Sequence, residues 1–292
     1  MQHTIIIEAR MPCYPYLSRG LLVAALAVCG PVASGPAHAW GAEGHRIVGL
    51  VAEQLLDAKS RAALRSLAAG ESLATVGLWL DRERDRLRGE VPGSERWHYD
   101  NRPVCDSSVL PERYCPDGQC GSRAYARALA TLRDHGAPES ERLFALRIVV
   151  HVLADLHQPL HAADHDDRGG NGVEVRLGRR GRPKPLHVAW DADFVKRAVR
   201  GESESGFAAR LVDEHRADLV RLESGSLEDW EAESYELART YAYGRLPGFA
   251  CARAASELVE LSPRYADGAA EIAAERLARA GIRLAAVLRS AL

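Results

Sequence analysis

His151-Val-Leu-Ala-Asp155-Leu-His-Gln-Pro-Leu-His161 is the stretch on which the reading of this chain turns. Leu143, Leu146, Val149, Val150 and Leu153 recur at helical spacing ahead of it and through it, so His151 and Asp155, at i and i+4, share one face of a helix. Val149, Val150, Val152 and Leu153 crowd that face with apolar neighbours, which argues against a solvated hydrogen bond and for a buried imidazole and carboxylate. Gln158-Pro159 then bends the chain, because proline cannot continue a helix, and His161 can face the same cavity from another direction. A second i,i+4 pair, His187 and Asp191, stands where a short hairpin gives way to the helical spacing of Asp193-Phe-Val-Lys. His98, in Trp97-His-Tyr-Asp-Asn101, and Asp81, in Leu78-Trp-Leu-Asp81, lie among aromatic and apolar residues in the same way.

The N-terminal segment adds a further candidate. Arg19, the apolar run from Leu21 to Ala33 and the small-x-small sequence Ala37-His-Ala39 read as a leader, residues 1–39, cut ahead of Trp40. Met11 is an alternative start. The apolar run is shorter than the roughly 20 residues of a membrane span, and Val28 before Cys29 is too large for a lipoprotein site. Cleavage gives Trp40 a free amine with a pKa of about 7.7 to 8.0, from which a metal ion can displace a proton. The amine, the Trp40 carbonyl and His45 then join the set. Five histidines, three aspartates and a chain terminus, with no thiolate, suit several zinc ions in hydrolytic sites.

Elsewhere the chain is strongly helical. Ile47, Val48, Val51, Leu55 and Leu56 form one stripe, and amphipathic runs cover about 121–134, 206–222, 227–244 and 268–291. Val173 to Leu177, a Gly/Arg/Pro turn, and Leu186 to Val188 read as a hairpin. The expectation is an all-α, single-domain helical bundle over 40–292, with that hairpin and with long connections at about 89–120 and 163–186; no linker or repeat divides it. With 38 basic and 40 acidic residues there is no bulk positive field, so tight duplex binding through many phosphates is not indicated and any phosphate affinity must be local. Cys13 and Cys29 leave with the leader. The remaining four in an exported chain suggest two disulfides: turn chemistry in Cys115-Pro-Asp-Gly-Gln-Cys120 closes a small loop and leaves Cys105 to reach Cys251. A four-thiolate zinc site is the competing reading.

Taken together, the N-terminal Trp, W-x4-H, W-x-D, WHY, H-x3-D-x5-H, Asp167-Arg-Gly-Gly-Asn171, H-x3-D and the cysteine pattern resemble the zinc-dependent single-strand-specific nucleases of the mung bean nuclease type, whose helical fold is shared with zinc-dependent phospholipase C. The resemblance implies three zinc ions. Asp81, His98, His151 and Asp155 would hold one; Trp40, His45 and a bridging Asp155 a second; His161, His187 and Asp191 the third. It also implies that Arg84 acts on a phosphate oxygen in catalysis with the Asp155-bridged ions, that Tyr99 stacks on a base, and that Asn101 and Asn171 contact substrate. Arg84 also reads as a solvated helix charge among Arg82, Arg86 and Arg88, and Asn171 as a turn residue after two glycines. Asn101 stands where fungal members carry an acid, and the connection from His161 to Gly169 is one residue longer, so base preference does not carry over.

The implied function is a secreted or periplasmic endonuclease cutting single-stranded DNA and RNA to 5′-phosphates, with 3′-nucleotidase activity, no stable protein partner, and no membrane association once the leader is removed. A phospholipase C and a non-catalytic zinc-binding protein are the alternatives; Asp191 in place of Glu and the short Trp40-to-His45 step disfavour the first, and Arg84 with Tyr99 the second. His157 and His165 are expected beside the cluster or at the surface, and His135 and His215 in solvent.

Overall fold

The chain enters helix directly after Trp40, and most of its apolar stripes become helices facing one core. The computed structural model describes residues 40–252 and 258–292; the segment 1–39 expected to be a leader, with Met11, Cys13 and Cys29, lies outside the described residues. Helix α1 (Ala42–Leu55) buries Ile47, Val48 and Val51 and is followed by α2 (Ala58–Leu67), α3 (Leu73–Val76), α4 (Trp79–Arg82) and α5 (Arg84–Glu90). The long connection beyond it contains only short turns and α6 (Pro111–Tyr114) before α7 (Gly121–Arg133) and α8 (Glu139–Asp155). Every residue from Ile148 to Ala163 is buried. A helix buried on all sides has to sit at the centre, and α8 does so, packed on α7 and flanked by α3, α4 and α14.

After α9 (Leu186–Val188) come α10 (Phe194–Val199), α11 (Glu204–Glu214), α12 (Leu219–Glu223), α13 (Leu227–Leu237) and the long α14 (Pro263–Ala291). Side-chain caps fix several starts: Ser226 and Asp229 form a reciprocal capping box on α13, and Ser262 with Pro263 opens α14. The amphipathic run expected at 206–222 is broken at His215, where α11 ends and a 3-10 turn leads into α12. Among the described residues no helix is long and apolar enough to cross a membrane.

The hairpin is real but shorter than its sequence suggests. Strand β1 (Glu174–Leu177) pairs antiparallel with β2 (Lys184–Pro185), and β3 (Val259–Leu261) adds parallel to the other edge of β1. Leu186 to Val188, expected in the second strand, are helical instead. Helical backbone there puts His187 and Asp191 on one face, which an extended strand would not do. Cys105 is bonded to Cys251 and Cys115 to Cys120, so the four-thiolate zinc reading is overturned.

Helices α1 and α14 cross closely at Gly281, where an added Cβ would lie 2.4 Å from Val51 Cβ and 3.0 Å from the Val48 carbonyl oxygen. Alanine is the better helix former by about 1 kcal/mol, but backbone and a β-branched neighbour cannot yield locally. Gly281→Ala should therefore lower the unfolding free energy by about 1–3 kcal/mol. Urea denaturation with an unchanged m-value is the check.

Candidate metal centre

Four separate segments meet at the C-terminal end of α8. His151 and Asp155 project from that helix, His45 from α1, Asp81 from α4, and His98 from the loop after the turn at 94–96. Asp155 lies at the middle: its Oδ2 is 3.0 Å from His151 Nε2 and 3.2 Å from His98 Nδ1, while its Oδ1 is 3.1 Å from His45 Nε2. Asp81 Oδ1 stands 3.8 Å from His98 Nδ1 and 3.9 Å from His151 Nε2. A short distance along the chain, His161 Nε2 and His187 Nε2 are 3.1 Å apart, with Asp191 Oδ2 3.3 Å from the latter. Three groups thus gather ligand atoms within 4.8 Å of one another: His45 with His151 and Asp155, Asp81 with His98 and His151, and His161 with His187 and Asp191.

Backbone carbonyls aim three of the rings. Nδ1 of His151 lies 2.6 Å from the Gly77 oxygen, that of His161 2.7 Å from the His98 oxygen, and that of His187 2.6 Å from the Gly169 oxygen. A carbonyl can only accept, so each Nδ1 carries a proton and each Nε2 is the nitrogen turned into the site, the orientation usual for a metal-ligating histidine. Gly169 allows this close approach: at φ 62° it occupies the left-handed region, and a Cβ there would lie 2.5 Å from the Leu160 oxygen.

Protonation states point the same way. Burial holds His161 down at about 3, His98 and His187 at about 4, and lowers His45 as well, so these rings are neutral at pH 7, the form that binds a cation. His151 is the exception. Burial opposes its charge, but Asp155 and Asp81 raise it to about 9; Asp155 is held well below its ordinary value because His151 and His45 outweigh its own burial. Burial raises Asp191 well above the usual carboxylate range. No hydrogen bond reaches His45 Nδ1 or Nε2, Asp155 Oδ1 or Asp191 Oδ2 among the described residues, although all are buried. Leaving such groups unsatisfied costs about 1–3 kcal/mol each, and divalent cations suit this nitrogen and oxygen set.

The fully buried Trp40 belongs to the same assembly. Its indole donates to the Ala154 oxygen at 2.9 Å, next to Asp155, and the following amide, Gly41 N, donates to the Asp191 oxygen at 2.9 Å. Arg84 opens α5 half-buried, whereas Arg82, Arg86 and Arg88 are exposed; its charge acts on both His187 and Tyr99. Tyr99 and Asn101 line one groove of about 630 Å³ with Arg96, Asp164, His165 and the Cys105–Cys251 bridge. Asn171 does not line it: its side-chain amide donates to the Arg168 oxygen at 2.8 Å and closes a turn.

Several supports carry no sequence motif. Gln158, buried, donates to Asp191 Oδ1 at 2.8 Å and accepts from Leu160 N, coupling the two His/Asp pairs. Asp100 receives Ser122 N and Oγ, while its own amide donates to the His161 oxygen. The remaining histidines divide. His135 is exposed, as expected. His215 is not solvated but packs at 15 % side-chain exposure, 2.8 Å from Glu275. His157 is fully buried and touches no candidate ligand side chain: its Nδ1 donates to Leu153 and its Nε2 accepts from Arg283 Nη1 at 3.0 Å. Arg283 and Arg276, both on α14 and both buried, share Glu233, and Arg276 also donates to the His157 oxygen at 3.1 Å. This pair holds the turn between Asp155 and His161 from behind.

Residues 40–292 match the family described as S1/P1 Nuclease. The chain is 30% identical over 270 residues to Endonuclease 2 of Arabidopsis thaliana, covering 86% of this chain and 90% of that protein. It is 28% identical to Nuclease S1 of Aspergillus oryzae, over 86% of this chain and 91% of the other. With Nuclease P1 of Penicillium citrinum the identity is 25%, over 84% and 95% respectively.

Asp155→Asn removes the charge that faces three imidazoles, whereas His135→Ala alters only an exposed ring. The first should lose bound zinc at equilibrium with a weak chelator and the second should retain it. Equal retention, measured as metal per chain, would refute Asp155 as the central ligand.

Proposed function

Because the chain belongs to the S1/P1 nuclease family, we propose that it is an exported zinc-dependent phosphodiesterase that hydrolyses single-stranded DNA and RNA endonucleolytically to 5′-phosphate products, and that it also releases phosphate from 3′-nucleotides. The observation that carries this reading is the convergence of His45, Asp81, His98, His151, Asp155, His161, His187 and Asp191 into three adjoining groups beside an aromatic-lined groove. Asp81, His98, His151 and Asp155 hold one zinc ion; His45, Asp155 and the freed amine and carbonyl of Trp40 hold a second; His161, His187 and Asp191 hold the third. Bound zinc supplies Lewis acidity towards the phosphate and a nucleophile at neutral pH.

The chain's own groups do the rest. Arg84, whose field already reaches His187 and Tyr99, grips a nonbridging phosphate oxygen with its planar fork and stabilises the charge that grows there. Tyr99 offers a face to one base, with Asn101 at its edge, and Asn171 shapes the rim turn. A base can stack on Tyr99 only after leaving a duplex, which makes single strands the preferred substrate. Residues 1–39 serve as the export leader, and the two disulfides suit the oxidising periplasmic or extracellular compartment to which it leads.

Two measurements test this. Tyr99→Ala should lower kcat/KM on single-stranded oligonucleotides by roughly five- to a hundredfold, the loss of about 1–3 kcal/mol of stacking, with zinc content intact. Unchanged kinetics would move the base platform elsewhere. A protein with one glycine ahead of Trp40 should still fold, as read by circular dichroism, but bind less zinc and cleave poorly, since an amide nitrogen cannot replace an amine as ligand. Equal zinc and equal turnover would refute the terminal ligand.

A further inference from the structure

We propose that Arg168, Arg179, Arg180 and Arg182 form a track for the phosphates of a single-stranded polynucleotide beyond the linkage being cut. The inference rests on the nuclease reading above and extends its substrate from one dinucleotide step to a polymer.

The β1–β2 hairpin sorts its cations. Arg176 is neutralised by Glu260 at 2.9 Å and Lys184 by Asp193, both at the strand ends. Between them, Arg179, Arg180 and Arg182 are exposed, and no carboxylate lies within ion-pair distance of any of the three among the described residues. Nowhere else among those residues do three such cations fall within four positions. The chain as a whole has a formal net charge of -2, so this is a local concentration of positive charge of the kind phosphate affinity requires here.

The hairpin is also held rigidly against the metal centre. Its base is stitched by Leu186 N to the Val173 oxygen at 2.8 Å and by His187 Nδ1 to the Gly169 oxygen, so the second strand runs straight into a candidate ligand. At the tip, Gly178 N bonds the Leu261 oxygen and Gly181 N the Gly178 oxygen. Arg182 precedes His187 by five residues, so at about 3.3 Å per residue its Cα is within about 17 Å of that ligand. Arg168, likewise exposed and without a carboxylate partner, comes immediately before Gly169, at the rim. Guanidiniums thus stand at the centre (Arg84), immediately before the ligand-aiming Gly169 (Arg168) and at the hairpin tip, so a strand leaving the site along the hairpin would meet them in turn. Arginine's fork matches phosphate oxygens at each.

The test is the triple variant Arg179→Gln, Arg180→Gln, Arg182→Gln in the zinc-loaded, correctly processed protein. Its kcat/KM is compared with the parent's on a single-stranded DNA of about 20 nucleotides and on a dinucleoside monophosphate, at several salt concentrations. The long-to-short efficiency ratio should fall by roughly tenfold at low salt, and the slope of log(kcat/KM) against log salt for the long substrate should shrink by about 2. An unaltered ratio and slope, with the long strand still cleaved, would overturn the track while leaving the nuclease reading intact; equal losses on both substrates would overturn it too. A parent that cleaves no single strand overturns both readings together.

Discussion

A carboxylate removed from water, Asp155, sits among His45, His98 and His151, and the rest of the molecule is arranged around keeping it there. Burying a charge in an apolar helix is costly unless its partners are close and fixed. His45 and His98 come from two other segments and Asp81, beside His98 and His151, from a third, so the cluster exists only when α1, α4, α8 and the loop at His98 are packed together. The apolar shell of α8, from Ala145 to Leu153, provides the packing that offsets this cost, at roughly 1.5–3 kcal/mol for each large side chain buried. The rings of His151, His161 and His187 cannot wander because their second nitrogens are bound to carbonyls of the main chain, so the aim of these three is set by backbone and not by long side chains.

That division explains what was legible in the sequence. His151 with Asp155 and His187 with Asp191 could be read because a four-residue step has one geometric meaning in a helix, and the neighbours of each pair are apolar. The architecture followed from the stripes in α1, α7, α8 and α14 for the same reason. The disulfides could be read because four cysteines with one short turn between two of them leave few pairings.

What could not be read lies in groups without a side-chain signature. The carbonyls of Gly77, His98 and Gly169 select the tautomers of three histidines, yet any residue type supplies a carbonyl. Gln158 and Asp100 looked like a bend and a loop residue, because their partners, Asp191 and Ser122, are 33 and 22 positions away. Strand β3, three residues long, has no alternation to recognise, and Leu186 to Val188, read as strand from the hairpin pattern ahead of them, are helical, which sets His187 over Asp191. His157 could be placed beside the cluster, but not its role, because its partner Arg283 is 126 residues further on.

Arg276 and Arg283 give the fold a direction in time. They lie on α14, which follows every candidate ligand in the chain, and they hold the turn joining Asp155 to His161. Every candidate ligand, from Trp40 to Asp191, is synthesised well before that helix. A growing chain therefore carries all of its metal-binding chemistry before the brace that shapes it, and the cell making it handles an unassembled catalyst until α14 has followed. For a nuclease, placing the brace after the ligands means that an emerging chain is no finished enzyme until α14 has been made and packed.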